Sequence, residues 1–265
     1  MPSYAITGGS RGLGLALVRA LSADSDNLVF AIVRSATSAE QLHSFVNGHS
    51  HKNVHVIEAD IGDSTTLISA AEQVAKVTSG RLDVLINNAA MVGDERSLLP
   101  PDGFPSPEVL EKDLVKFFRL NTIGPIHTIN AFLPLLRAGT MKKCVNISST
   151  VASHKITNAV DLDDVIGYGM SKAALNLANA KYAARFRGEG IVFLAVDPGL
   201  MKTMPPPQDI YIVNLSAKIR SKNPTFEGDI TPDTSARDIV ALINRATIAD
   251  SGKFVHRDGT EADDV

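Results

Sequence analysis

Short apolar runs alternate with longer amphipathic stretches along the whole chain. The first run, Tyr4 to Thr7, passes through a glycine-rich turn into LALVRAL, with apolar residues at Leu15, Leu17, Val18 and Leu21. That order predicts strand, turn, helix. Leu28 to Arg34 (LVFAIVR) is continuously apolar, as a parallel strand covered on both faces should be. A polar helix over about Ser38 to Asn47 precedes a third strand, Asn53 to Asp60. A helix over Ser64 to Thr78 leads to a fourth strand, Leu82 to Ala90. Four prolines and two glycines between Val92 and Pro107 predict a loop. A long helix, Pro107 to Ala138, follows, and Pro125 should kink it or break its hydrogen-bond ladder. Lys142 to Ser149 is the fifth strand, residues 150–166 a second loop, and Tyr168 to Phe186 a helix. Ile191 to Gly199 is the sixth strand. An irregular, proline-bearing segment with a short helix over Ile210 to Ser221 comes next. A helix from Pro232 to Ala246 and a last strand, GKFVH, close the pattern. Strictly alternating strands and helices predict α/β architecture. One doubly wound parallel sheet of about seven strands, with helices on both faces, would use residues 1–265 as a single domain.

Composition narrows the functions open to such a fold. A hydrophobic content of 44% supplies a large core. Net charge is −3 and no polybasic run exists, which argues against nucleic acid and anionic membranes as partners. No apolar run reaches the ~18 residues of a membrane span. The first strand begins almost at once, leaving no room for a signal peptide. The single cysteine, Cys144, sits in an apolar run and reads as core. A cytoplasmic protein fits these features. His49 and His51 lie close together, but no further histidine or cysteine has metal-ligand spacing, so no metal site is expected.

Candidate chemistry gathers where strands end. Gly8, Gly12 and Gly14 form a turn that can admit a bulky anion, with the N–H groups of the following helix aimed into it. Nucleotide-binding units of this kind often carry an acid at the end of the second strand, for the ribose hydroxyls. Here Arg34 and Ser35 stand there, with Arg11 in the turn, which favours a 2′-phosphate and so NADP(H) over NAD(H). Asp60 is placed to accept from an adenine amino group. Asn87 and Asn88 end a strand at the edge where ligands bind in open α/β sheets. Asn121 lies one turn before Pro125, so it can bond to a freed carbonyl or to water. Tyr168 and Lys172 share one helix face. A nearby ammonium favours the phenolate, so a tuned tyrosine is a credible general acid. Ser148 and Ser149 end the fifth strand, and side-chain alternation lets only one of them face the cleft and polarise a carbonyl.

These motifs together resemble the short-chain dehydrogenase/reductase family. They are Thr7-Gly8-x-x-x-Gly12-x-Gly14, Asp60, Asn87-Asn88-Ala89-Ala90, Asn121, Asn146-Ile147-Ser148-Ser149, Tyr168-x-x-x-Lys172, and Pro198-Gly199 with Thr203. The likeness covers nearly the whole chain, and the Sniffer-like carbonyl reductases and fungal polyketide ketoreductases are the most similar branches. It implies a Rossmann-like fold and a catalytic tetrad of Asn121, Ser149, Tyr168 and Lys172, choosing the second serine. It implies cofactor contacts from Thr7, Gly8, Ser10, Arg11, Gly12, Leu13, Gly14, Arg34, Asp60, Ile61, Asn87, Ala89, Asn121, Tyr168, Lys172, Pro198, Gly199 and Thr203. Lys172 would also hold the nicotinamide ribose, Asn121 would anchor a relay water, and the Pro198-Gly199 turn with Thr203 would hold the carboxamide.

The expected reaction is NADPH-dependent reduction of a ketone or aldehyde on a bulky hydrophobic substrate, aromatic or polyketide-derived, with the proton coming from Tyr168. Alcohol oxidation, a cofactor-bound cyclase or isomerase, and a non-catalytic sensor are the alternatives. The likeness also implies a homodimer through the two long helices. Three features depart from the family pattern, the third being the long lid segment after Thr203. Ala90 replaces a frequent glycine, and Ser149 and Tyr168 stand 19 residues apart, more than is usual. The extra residues would bulge beside the pocket and bring His154 or the acids Asp161 to Asp164 near substrate. The segment at about 204–230 is expected to form a lid.

Overall fold

The structure, a computed structural model, describes residues 1–93, 95–201, 210–222 and 228–262. Among these, seven strands form one sheet: β1 (Ser3–Thr7), β2 (Leu28–Val33), β3 (Val54–Glu58), β4 (Val84–Asn87), β5 (Lys143–Ile147), β6 (Val192–Asp197) and β7 (Phe254–His256). Every pairing is parallel and the spatial order is β3-β2-β1-β4-β5-β6-β7. The order reverses between β1 and β4, and in open α/β sheets the crevice at such a switch point is where ligands bind.

Alternation along the strands explains the two cores. Tyr4, Ile6, Val29, Ala31, Val33, Val84, Ile86, Val145, Leu194 and Val196 face one side, against α1 (Gly12–Ser22) and α9 (Pro232–Arg245). Ala5, Phe30, Ile32, Leu85, Cys144 and Phe193 face the other, against α3 (Ser64–Thr78), α5 (Gly124–Ala138) and α7 (Ile166–Phe186). Neighbouring residues thus enter opposite cores, as the two-residue period demands. Cys144 is fully buried, as expected of a core residue, and burial pushes its thiol up, away from reactivity. The α2 helix (Glu40–Gly48) covers the β2 end of the first core, where Leu42 is buried.

Two expectations about the middle of the chain are corrected. Of the two outcomes expected, the long helix does not kink at Pro125, but its regular ladder is broken. It is interrupted one turn earlier, between α4 (Pro107–Phe118) and α5, by a π-helical turn over Arg119–Ile123 that contains Asn121. Proline lacks an N–H for the carbonyl four residues back, here that of Asn121, and its ring crowds it. The wider turn upstream absorbs that conflict, leaving Pro125 in the first turn of α5, where it is tolerated. Residues 150–166 are also not a plain loop. Thr150–Ala152 form a 3-10 turn and His154–Ala159 the short helix α6. Ser149 and Ser153 cap them, accepting from the backbone N–H groups of Val151 and Ile156.

The short helix expected near Ile210 is present as α8 (Ile210–Lys222). Thr203, and residues 202–209 and 223–227 of the expected lid, lie outside the described residues. Among the described residues no helix is long and apolar enough to cross a membrane.

Candidate active site

The glycine turn has the shape its spacing demands. Gly8 leaves β1 at φ 72° and Gly12 opens α1 at φ 55°, both left-handed. A Cβ on Gly14 would lie 2.1 Å from the Gly8 carbonyl oxygen and 2.6 Å from Asn88 Nδ2, so only hydrogen fits there. Arg11 occupies the N-cap position in extended conformation and gives α1 no side-chain cap. The first N–H groups of the helix therefore have no side-chain acceptor, and the helix dipole favours an anion in front of them. This cradle fits the pyrophosphate of a dinucleotide. Ser10 in the turn and Ala89 beside Gly8 are half-buried, Leu13 is buried in the core behind, and Ile61 is half-buried against Gly124.

Thr7 serves a different purpose from a direct ligand contact. Its buried hydroxyl accepts from the backbone N–H groups of Asn88 and Ala89, each at 3.1 Å, and Asn88 Nδ2 donates back to the Thr7 carbonyl at 2.9 Å. Thr7 and Asn88 thereby lock the ends of β1 and β4 together across the switch point. Arg34 is exposed at the end of β2, and Arg11 is exposed in the turn. Among the described residues neither has a hydrogen-bond or ion-pair partner. The backbone after Arg34 is fixed by Glu58, whose carboxylate accepts from Ala36 N at 2.8 Å. Asp60 uses one carboxylate oxygen on Gly62 N, at 2.8 Å.

The candidate tetrad assembles at the C-terminal edge of β5 and the start of α7. Alternation decides between the two serines. Ser148 is buried and donates to Asn176 Oδ1 at 2.6 Å, whereas Ser149 is partly exposed and its hydroxyl acts to lower the Tyr168 phenol. Gly167 lets α7 approach α4 closely, because a Cβ there would stand 2.6 Å from Phe117. Phe117 in turn meets the Tyr168 ring edge-on. Lys172, one helical turn on, is buried with its Nζ 5.7 Å from the Tyr168 ring centre, donating to the Ile147 carbonyl at 2.6 Å.

Asn121 is fully buried and its amide is committed. Nδ2 donates to the Met91 carbonyl and to Ser171 Oγ, at 2.9 and 3.1 Å, and Oδ1 accepts from Met91 N at 2.8 Å. Ser171 Oγ donates onward to the Tyr168 carbonyl, and Thr122 Oγ1 to the Ser171 carbonyl. The side chain therefore braces the π turn against the Tyr168 helix. It is not open to a freed carbonyl or to water.

Burial dominates the electrostatics. It pushes the Tyr168 phenol up to about 12, aided by the Asp197 carboxylate and opposed by the Ser149 hydrogen bond. It pushes the Lys172 amine down to about 7. Both groups are driven toward their neutral forms, as desolvation requires.

Two sets of contacts escaped the sequence reading, which had named Asn87 and Asn146 but not their link to Asn179. A chain of buried amides runs beneath the site: Asn87 Nδ2 donates to Asn146 Oδ1, and Asn146 Nδ2 to Asn179 Oδ1. Asn87 Oδ1 is buried without a partner. An asparagine inside an apolar strand was the available signal, because buried polar groups must be paired. Asp197 and His256, whose side chains meet at 3.0 Å, were also missed. Their partnership joins β6 to β7 and has no signature in local spacing.

Of the acids expected beside the pocket, Asp163 and Asp161 instead pair with Lys218 and Lys222 of α8, at 2.9 and 3.2 Å, whereas Asp164 Oδ1 is buried without a hydrogen-bond partner among the described residues; His154 is exposed. The residues closing around Tyr168 are apolar instead. Val151, Val160, Leu162, Val165 and Leu215 form a buried cluster, joined by Leu98, Ile156, Leu200 and Ile219. Pro198 and Gly199 follow β6 directly. The Pro198 carbonyl accepts from Ser235 Oγ, and Gly199 turns the chain at φ 83°. Among the described residues no cluster could hold a metal ion. His49 instead hydrogen-bonds the Ser22 carbonyl and Asn53.

Known proteins resemble this chain in sequence and in fold. Residues 3–206 match the family pattern described as short chain dehydrogenase. A short-chain dehydrogenase/reductase of Aspergillus aculeatus, AacuF, is 41% identical over 98% of this chain and 99% of its own. The short chain dehydrogenase virK of Hypocrea virens is 35% identical over 98% and 99%. Among solved structures, the NADPH-bound carbonyl reductase from chicken fatty liver superposes with a TM-score of 0.79 at 26% identity, covering 98% of both chains. The carbonyl reductase Sniffer of D. melanogaster does so at 0.80 and 25%, again over 98% of both. A family match across most of the chain and relatives of this identity over nearly its full length lead to one conclusion: the chain belongs to the short-chain dehydrogenase/reductase family.

Proposed function

We propose that the protein reduces the carbonyl of a bulky, largely hydrophobic ketone or aldehyde, using NADPH. The observation that carries this reading is the buried Lys172 amine 5.7 Å from the Tyr168 ring centre, beside Ser149 and at the same sheet edge as the glycine cradle. When bound, a reduced nicotinamide supplies the hydride to the carbonyl carbon. Ser149 donates a hydrogen bond to the carbonyl oxygen and stabilises the negative charge that develops there. Tyr168 gives that oxygen its proton. A phenol pushed up to about 12 holds its proton at neutral pH, which is the form an acid catalyst needs. As the proton leaves, the Lys172 ammonium offsets the phenolate charge. Asn121, its amide already occupied, supports a relay water through its main-chain carbonyl, to which Pro125 has no N–H to donate.

The cofactor preference rests on Arg34 and Arg11, two exposed cations without partners among the described residues. The substrate class rests on the apolar cluster beside Tyr168. In this reading α8, within the segment at about 204–230, acts as the lid over that cluster, and residues 1–265 work as one domain. A homodimer through α4 and α7 is part of the same proposal. Val115 and Phe118 on α4, and Met170 and Leu177 on α7, are large apolar residues left exposed.

The test is consumption of NADPH, and separately of NADH, against aromatic and polyketide-like ketones and aldehydes. We expect turnover with several bulky apolar carbonyls and a preference for NADPH of at least about tenfold. No oxidation of either cofactor by any carbonyl would sink the reading.

A further inference from the structure

The sheet edge carries one acid that the tetrad does not use. Asp197, the last residue of β6, is 5% exposed. Its Oδ1 accepts from Thr150 N at 2.9 Å, and its Oδ2 accepts from Gly199 N at 3.3 Å and meets His256 Nδ1 at 3.0 Å. Thr150 directly follows Ser149. Gly199 forms the turn after β6, and His256 ends β7. A single carboxylate thus joins the ends of three adjacent strands. A buried carboxylate is costly unless it is hydrogen-bonded and paired, and His256 is the cation that can pair with it.

We propose that Asp197 and His256 form a positioning pair for carbonyl reduction. The carboxylate holds the Ser149 turn and the Pro198-Gly199 turn at a fixed separation, and the histidine fixes the carboxylate. This rests on the reading of the site given above. Neither residue touches the reacting atoms; both act through Ser149 and Tyr168.

The charged groups around the pair set the direction of its pH response. His256 faces Asp197, Asp258 and Arg257, and Arg257 is itself paired with Asp238 at 2.8 Å. The Asp197 carboxylate raises the Tyr168 phenol, and Lys172 Nζ lies 5.7 Å from the centre of its ring. The hydrogen bond from Asp197 raises His256 above its ordinary value, with burial opposing and both carboxylates assisting. The folded value exceeds the unfolded one. The stabilising contribution is therefore complete below about 6.5, the unfolded value, and is lost as pH rises through the folded one. While His256 is charged, it offsets the field that Asp197 exerts on the Tyr168 phenol. Once neutral, it leaves that field uncompensated.

The experiment compares wild type, Asp197→Asn and His256→Gln. In the cofactor-free proteins, NMR titration of His256 should give a raised value in wild type, falling toward about 6.5 in Asp197→Asn. NADPH affinity is read from cofactor fluorescence, and kcat and KM from turnover across pH. Asp197→Asn should lower kcat about tenfold or more through misplacement of Ser149, and weaken NADPH binding by a smaller factor through the Pro198-Gly199 turn. His256→Gln, which keeps a side-chain amide and leaves the Asp197 hydrogen bonds to backbone in place, should lose activity most below about pH 6.5 and least well above it. A His256 titration unmoved by Asp197→Asn, or a His256→Gln pH profile that overlies wild type, would overturn the proposal. If Asp197→Asn fails to fold, the His256→Gln profile decides alone. If wild type reduces no carbonyl, the functional reading fails, and the His256 titration in His256-containing proteins still decides whether the pair exists.

Discussion

The two flanks of the crevice are built in different ways. On the β1–α1 side, geometry follows from local covalent limits. Gly14 admits no Cβ, Gly8 and Gly12 hold left-handed backbone, and Thr7 and Asn88 lock the neighbouring strand ends. On the β5–α7 side, Ser149 and Tyr168 meet although 19 residues separate them. Their meeting depends on α6, on the π turn braced by Asn121, and on α8 packed over the apolar cluster. The first flank tolerates little change and offers a generic anion cradle. The second is assembled from long-range contacts, and its specificity can change without disturbing the first.

Substitutions on each flank can break or sharpen that contrast. Gly14→Val should have the largest effect, with loss of NADPH binding and a stability decrease of about 3 kcal/mol or more, because backbone must move to admit the side chain. Denaturant unfolding and cofactor fluorescence would measure both; retained binding would mean the cradle is more adaptable than its contacts indicate. Lys172→Met tests the opposite flank through pH. The amine sits near about 7 in the folded protein, so the unfolded chain binds the extra proton between there and about 10.4, and wild-type stability rises with pH across that window. The methionine variant lacks this rise, and its stability relative to wild type should be greatest below about pH 7 and decline toward pH 10. Parallel pH dependences of the two proteins would contradict the assigned amine.

Arg34→Ala should weaken NADPH binding about tenfold to a hundredfold and leave NADH binding unchanged, as expected for one charge-assisted phosphate contact. Equal losses for both cofactors would move the 2′-phosphate away from Arg34. The smallest effect belongs to Lys218→Gln combined with Lys222→Gln, which removes both ion pairs between α8 and the 150–166 segment. Exposed pairs contribute little, so substrate KM should rise less than about fivefold with NADPH affinity untouched. A change in NADPH affinity would show that the two flanks are coupled after all.

The same contrast explains how far the sequence could be read. Strand order, the glycine turn and the Tyr168–Lys172 pair were legible because each depends on spacing within one or two elements. The π turn was not, since Pro125 announces a conflict in the helix without saying which residues absorb it. Nor was α6. Its capping serine, Ser153, is common in loops too, and its apolar residues find their partners on α8, some sixty residues further on. Asn146 could be quoted as part of a motif, but its bond to Asn179 joins a strand to a helix and needed coordinates. Asp197 and His256 are ordinary residues at strand ends until β6 and β7 lie side by side.

The central claim is that Tyr168 supplies the proton at a site whose cofactor cradle is independent of it. Tyr168→Phe removes one oxygen and keeps the ring against Phe117 and the apolar cluster. Carbonyl-dependent NADPH oxidation and NADPH affinity, measured on the same preparation, test the claim directly. The account predicts turnover reduced at least about a thousandfold with affinity within about threefold of wild type. Turnover near the wild-type rate would contradict it.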